Sequence, residues 1–196
     1  MLKNKRNVET FGIAGSSSGV GVTYFSILLA NYLYGVENRK TVVLEWNKNG
    51  DFERIEKICC KNTVLKQHVK TFKVLEVSYV KEAGKAELLE YVNHGYDAVV
   101  IDFGSDFKGN KEEFLRCDRK ILIGSFCEWK SATFIDLISG KRKEEGKWFF
   151  LTRSGNFEMG ERVRKILHTP VGQIPESADA FAITEVSLAF FKGFLK

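Results

Sequence analysis

The chain is poor in proline, cysteine and histidine, and each shortage excludes something. Two prolines in 196 residues leave no proline-rich linker, and no low-complexity tract or internal repeat marks a boundary, so a single domain over residues 1–196 is expected. The four cysteines, Cys59, Cys60, Cys117 and Cys127, form no C-x-x-C pair and share no metal-ligand spacing with histidine. Neighbouring Cys59 and Cys60 are badly placed to bridge each other, because the geometry is strained. All four are expected as reduced thiols, the state of a cytosolic protein. His68, His94 and His168 are scattered and read as ordinary surface or packed residues. No run reaches the roughly 18 apolar residues of a membrane span. The basic N-terminal residues run straight into polar ones, without the apolar core of a secretory signal. The expected location is cytoplasmic.

Strong charge of one sign is also missing. Thirty basic against 25 acidic side chains give +5, which permits weak attraction to a polyanion without arguing for one. The basic runs Lys3-Asn4-Lys5-Arg6 and Lys141-Arg142-Lys143 are short and read as solvated ends. What is present is a globular composition, 44% hydrophobic and 28% charged, in a chain long enough to bury a sizeable core.

Short apolar runs alternate with helical stretches. Strands are expected at 11–14, 41–44, 72–77 (weaker), 97–102, 120–124, 147–151 and 171–174. Helices are expected at 22–34, 51–60, 82–93, 111–116, 131–143, 158–167 and from about 178 onward. The 97–102 segment is the clearest strand, with four consecutive apolar residues that require burial on both faces. This order implies an α/β domain of three layers, with a mostly parallel sheet and helices on both faces. Ligands in such sheets bind at the carboxyl ends of the strands.

The first strand leads into Gly15-Ser16-Ser17-Ser18-Gly19-Val20-Gly21-Val22-Thr23 and then a helix. This is the outline of a loop that cradles phosphate, yet it contains no positive charge. Two cofactor loops share the outline. Gly15, Gly19 and Gly21 match the G-x-x-x-G-x-G turn of short-chain dehydrogenases. That family needs a Tyr-x-x-x-Lys pair, and no tyrosine here has a lysine four residues on. The segment Asp102-Phe103-Gly104-Ser105 also replaces its Asn-Asn-Ala-Gly.

The second is the deviant phosphate loop Lys-Gly-Gly-x-Gly-Lys-Thr-Thr, against which the chain reads Ser17-Ser18-Gly19-Val20-Gly21-Val22-Thr23-Tyr24. Three further segments align in order: Glu45-Trp46-Asn47-Lys48-Asn49-Gly50 with Asp-x-Asp-x-Gln-Gly, Tyr96–Asp102 with the Walker B strand, and Gly172-Gln173-Ile174-Pro175 with Gly-x-Ile-Pro. On these four motifs residues 9–195 resemble the ParA/MinD superfamily of partition and septum-positioning ATPases. Within it the chain looks most like the pilus-assembly branch of TadZ and CpaE, some of whose members have altered phosphate loops. That branch carries an N-terminal receiver-like domain with no counterpart in the sequence.

The resemblance implies a P-loop fold, ATP or ADP held with Mg²⁺, and a face-to-face homodimer. It implies nucleotide contacts from Ser17 through Tyr24, a metal site at Thr23 and Asp102, and vestigial catalytic positions at Glu45 and Asn47. Val22 and Ser17 stand where the family has its two lysines. Phosphoryl transfer depends on positioned positive charge, and losing one such group typically costs about 10²–10³-fold in rate. Efficient hydrolysis is therefore not expected, whereas the N–H groups at the helix start can still hold an anion. Each residue also has a plainer reading. Thr23 can cap a helix, Asp102 can end a strand, Glu45 can be a solvated charge, and the glycines can serve a tight turn with no ligand at all. Leu151-Thr152-Arg153-Ser154 replaces the asparagine with which the family reads adenine.

The expected function is a degenerate, poorly hydrolytic ParA/MinD-like protein that positions or scaffolds other proteins, as in pilus or secretion assembly. The alternatives are a slow ATPase that borrows Lys48 or Lys108, and nonspecific DNA binding. The DNA reading is disfavoured because no basic stripe is present. The tail Val186–Lys196 is aromatic and basic. It reads as the last core helix, or as an amphipathic contact at the inner face of a membrane.

Overall fold

A computed structural model describes residues 8–60, 69–139, 147–155, 157–167 and 170–195. The elements in chain order are β1 (Glu9–Gly15), α1 (Val22–Gly35), β2 (Thr41–Glu45), α2 (Asp51–Cys59), β3 (Thr71–Val74) and β4 (Val77–Val80). Then come α3 (Lys85–Asn93), β5 (Ala98–Asp102), α4 (Lys111–Arg116), β6 (Arg119–Phe126) and α5 (Glu128–Ser139). β7 (Lys147–Gly155), α6 (Phe157–Leu167), β8 (Val171–Gln173) and α7 (Glu185–Phe194) complete the chain.

The strands form one sheet in the order β3-β4-β2-β5-β1-β6-β7-β8. Every described pairing is parallel except β3 with β4. All five residues of β2 and of β5 are buried, because both faces of these strands are covered. One face packs on Phe25, Leu28 and Leu29 of α1, with Phe52 of α2 and Phe191 of α7. The other packs on Phe114 of α4, Phe134 of α5 and Val163 of α6. This is the α/β three-layer arrangement expected from the strand–helix alternation.

α1 is apolar nearly all round and buries residues on every side, since it lies between the sheet and α7. Phe191 of α7 is fully buried, 5.8 Å from the Phe25 ring and 4.6 Å from the Tyr32 ring. The C-terminal helix is thus part of the core. No described helix is long and apolar enough to cross a membrane.

Several boundaries differ from the sequence reading: α5 starts three residues earlier than expected, at Glu128, and β7 runs on to Gly155, and three further differences have a local cause. The single strand expected at 72–77 is a hairpin, because Leu75 and Glu76 both take positive φ (47° and 67°) and reverse the chain in a two-residue turn. α3 begins at Lys85 rather than at 82, behind an N-terminal Glu82 at φ 46°. The last helix begins at Glu185 rather than near 178, where the Thr184 side chain accepts a hydrogen bond from Ser187 N at 3.2 Å and fixes the start. The basic runs at 3–6 and 141–143, with His68 and His168, lie outside the described residues.

Candidate functional site

β1 lies between β5 and β6, so the loop after it emerges at the centre of the sheet's carboxyl edge. Two backbone hydrogen bonds anchor it on both sides, Gly15 N to Gly104 O and Ser16 N to Ile123 O, each 2.8 Å. Gly19 (φ 76°) and Gly21 (φ 101°) then take left-handed conformations that a side chain would strain. α1 starts immediately afterwards with no side-chain cap and no acid in its first turn. Its first N–H groups and the positive end of its dipole therefore face the cleft beside the loop. The cleft has a volume of about 480 Å³ and is walled by the loop, Asp51, Arg54 and Arg153.

By sequence, no protein-family model and no curated protein matches the chain. Solved structures do match. A plasmid partition protein of Borrelia burgdorferi B31 bound to AMPPNP superposes with a TM-score of 0.66 at 18% identity, over 96% of this chain and 97% of that one. A ParA family ATPase of Chlorobium tepidum TLS gives 0.61 at 12% identity, over 94% and 89%. The septum site-determining protein MinD of Pyrococcus horikoshii, complexed with Mg-ADP, gives 0.57 at 15% identity, over 86% and 82%. The chain has the ParA/MinD fold.

In this ParA/MinD fold all eight residues expected at the nucleotide, Ser17 through Tyr24, line the cleft. The side chains of Val20 (3% exposed) and Val22 (7%) belong to the hydrophobic core. Both pack over Gly15, where an added Cβ would meet each valine's Cγ2 at 2.9 Å. The hydroxyl oxygens of Ser16 and Ser17 are buried without a hydrogen-bond partner. A buried hydroxyl without a partner is costly, and Ser17, on the cleft wall, is placed for a water or a ligand to satisfy it.

The acidic side of the site gathers Thr23, Asp51, Asp102 and Asn47. The Thr23 hydroxyl donates to Asp51 Oδ2 at 3.3 Å. Asp102 is fully buried, and Oδ1 accepts from Gly104 N (2.9 Å) and Asn47 Nδ2 (3.1 Å). Its second oxygen, Oδ2, has no partner. Burial pushes the Asp102 carboxyl up to about 6, and the nearby Thr23 hydroxyl and Gly104 N–H offset this only in part. Such an oxygen is satisfied by a proton or by a cation.

Glu45 pairs in register with Asp102 at the same strand end, but its hydrogen bond runs to α2. It is 1% exposed, and Oε1 accepts from Phe52 N at 3.1 Å, so its charge meets the start of α2. Burial raises its carboxyl above the usual range. Asn47 acts through Asp102 and packs against Gly104, where an added Cβ would lie 3.1 Å from Asn47 Cβ. Of the two lysines considered as substitutes, Lys48 lines an adjoining cavity of about 680 Å³ with Trp46 and Phe103, which shares Asn49 and Ser105 with the cleft. Lys108 is exposed in the turn before α4.

Sequence reasoning missed the cations that do reach the loop. Lys130 Nζ, from α5, donates to Ser18 O at 2.8 Å. The Arg153 guanidinium, from β7, lies 4.4 Å from the centre of the Tyr24 ring. Lys130 is 112 residues from Ser18 in sequence, so no local spacing could reveal the contact. The available signal was position, since Lys130 lies in the first turn of the helix after β6 and Arg153 near the carboxyl end of β7.

Proposed function

We propose that the chain binds a nucleotide with Mg²⁺ at the loop, hydrolyses it poorly, and works as a positioning or scaffolding factor through protein contacts. The observation that carries this is the burial of Val22 in the core, at the position where a phosphate lysine stands in the resemblance drawn from the sequence. The unpartnered Ser17 and Asp102 oxygens support an occupied cleft over an empty turn. The donor set fits magnesium: Thr23 and Asp102 would hold the ion, which supplies positive charge to the phosphates when bound.

A single cytoplasmic domain acting as a homodimer in pilus or secretion assembly is part of this reading. The packing of Phe191 against α1 favours the core role of α7 over a membrane contact. The slow-ATPase alternative draws support from the two cations beside the loop.

Titration calorimetry of the purified chain with ATP and ADP, with and without Mg²⁺, tests the reading alongside a phosphate-release assay. Magnesium-dependent binding with negligible release is expected. Rapid release that is lost in Thr23→Ala would instead establish an enzyme. Absence of binding would remove the nucleotide from the account.

A further inference from the structure

We propose that Arg153 and Lys130 stand in for the missing loop lysine, supplying from β7 and α5 the positive charge that holds a phosphate chain over Gly19–Thr23. This deepens the nucleotide reading above and rests on it.

Three features carry the assignment. The first is placement. An added Cβ at Gly19 would lie 3.8 Å from Lys130 Nζ, and one at Gly21 would lie 3.1 Å from Arg153 Cδ and 3.9 Å from its Nη1. The two cations therefore overlie the two left-handed glycines, one at the loop tip and one at the mouth of α1.

The second is availability. Among the described residues neither cation is in an ion pair, whereas Arg54, on the same cleft, is held by Asp51 Oδ1 at 2.8 Å. Lys130 spends one of its three donors on Ser18 O. The stack of Arg153 on Tyr24 fixes its plane and leaves the edge donors free. A guanidinium so held suits two-point binding of phosphate.

The third is electrostatic. The start of α1 is itself positive, so two cations set beside it without an anion repel it. A phosphate chain converts that repulsion into attraction. The buried Asp102 Oδ2, unpartnered beside the same cleft, supplies a place for the counter-cation such a ligand brings.

The ligand class is a diphosphate or triphosphate chain, whether nucleotide-borne or free. The test titrates the full-length chain with Mg-ADP and, separately, with magnesium pyrophosphate. The variants are Arg153→Gln, Arg153→Lys and Lys130→Gln. Arg116→Gln serves as a charge control, being an exposed cation paired with Glu113 away from the cleft. Thermal unfolding establishes that each variant is folded.

Charge-assisted bonds of this kind lead us to expect about 10- to 100-fold weaker binding in Arg153→Gln and about 3- to 10-fold in Lys130→Gln. Arg153→Lys should recover part of the loss, and Arg116→Gln should leave affinity within about twofold. If the wild-type chain binds and Arg153→Gln and Lys130→Gln bind equally well, the inference falls while the nucleotide reading stands. If pyrophosphate binds through Arg153 and ADP does not bind, the inference stands and the nucleotide reading falls. Failure of wild type to bind either compound overturns both. Should Arg153→Gln not fold, Lys130→Gln and Arg153→Lys decide the matter, since each keeps the apolar stem of its side chain.

Discussion

Val22 packs directly over Gly15: a methyl group placed on the glycine would meet Val22 Cγ2 at 2.9 Å. The contact joins the end of β1 to the first residue of α1 and closes the loop between them from beneath. A position facing phosphate in related loops thus serves the core, and any charge for a ligand must come from elsewhere in the fold.

Placing a lysine at position 22 should therefore trade stability for function. Val22→Lys removes a buried branched side chain, and a loss of about 1–2 kcal/mol is expected from chemical denaturation. It also places a cation at the loop, where one such charge is worth about 10²–10³-fold in phosphoryl transfer. Magnesium-dependent phosphate release should rise by at least about tenfold, and an unchanged rate would show that the lysine is not the missing element.

Asp102 makes stability depend on pH in a calculable direction. Burial raises its carboxyl from 3.8 to about 6 in the folded chain, so the folded state holds this proton more tightly than the unfolded one. Stability from this group is greatest below about pH 4, falls between about pH 4 and 6, and is level above that. The shift corresponds to about 3 kcal/mol at most. In metal-free buffer Asp102→Asn should be more stable than wild type at pH 7 by about 1–3 kcal/mol. Its stability should change less between pH 4 and 6, as followed by urea denaturation at a series of pH values.

Gly124 tests the packing of α5 on β6. A Cβ there would fall 2.0 Å from Phe134 Cγ, and Phe134 is fully buried. Gly124→Ala should cost about 3 kcal/mol, the upper end of ordinary overpacking. A drop in Tm of only a degree or two would mean that α5 can move away freely.

Phe191 tests the role assigned to α7. It is fully buried between α1 and its neighbouring phenylalanines. Phe191→Ala should cost about 3–5 kcal/mol. Sedimentation with anionic vesicles should leave the wild-type chain in the supernatant. Vesicle binding by the intact chain would mean that α7 leaves the core.

The burial of Cys117 predicts a chemical contrast. Its thiol is pushed up to about 12 by its apolar surroundings, whereas Cys59 is exposed. At pH 8 an alkylating reagent should modify Cys59 readily and Cys117 only on unfolding. Mass mapping of the labelled protein reads the difference.

The amino-acid order by itself determined the alternation of strand and helix, and with it the parallel sheet. Segments such as Ala98–Asp102 are apolar throughout because they are buried on both faces, and that signal is local. The glycine loop was legible for the same reason, since Gly19 and Gly21 take backbone conformations that other residues avoid. The β3–β4 hairpin was not legible, because its turn is made by Leu75 and Glu76 rather than by glycine or asparagine. Only the tertiary structure decided which way the side chains at the site face. It turned Val22 into the core, aimed Glu45 at α2, and brought Lys130 from α5 and Arg153 from β7 to a loop more than a hundred residues away. Such proximity is set by the order of strands in the sheet, which no short stretch of sequence encodes.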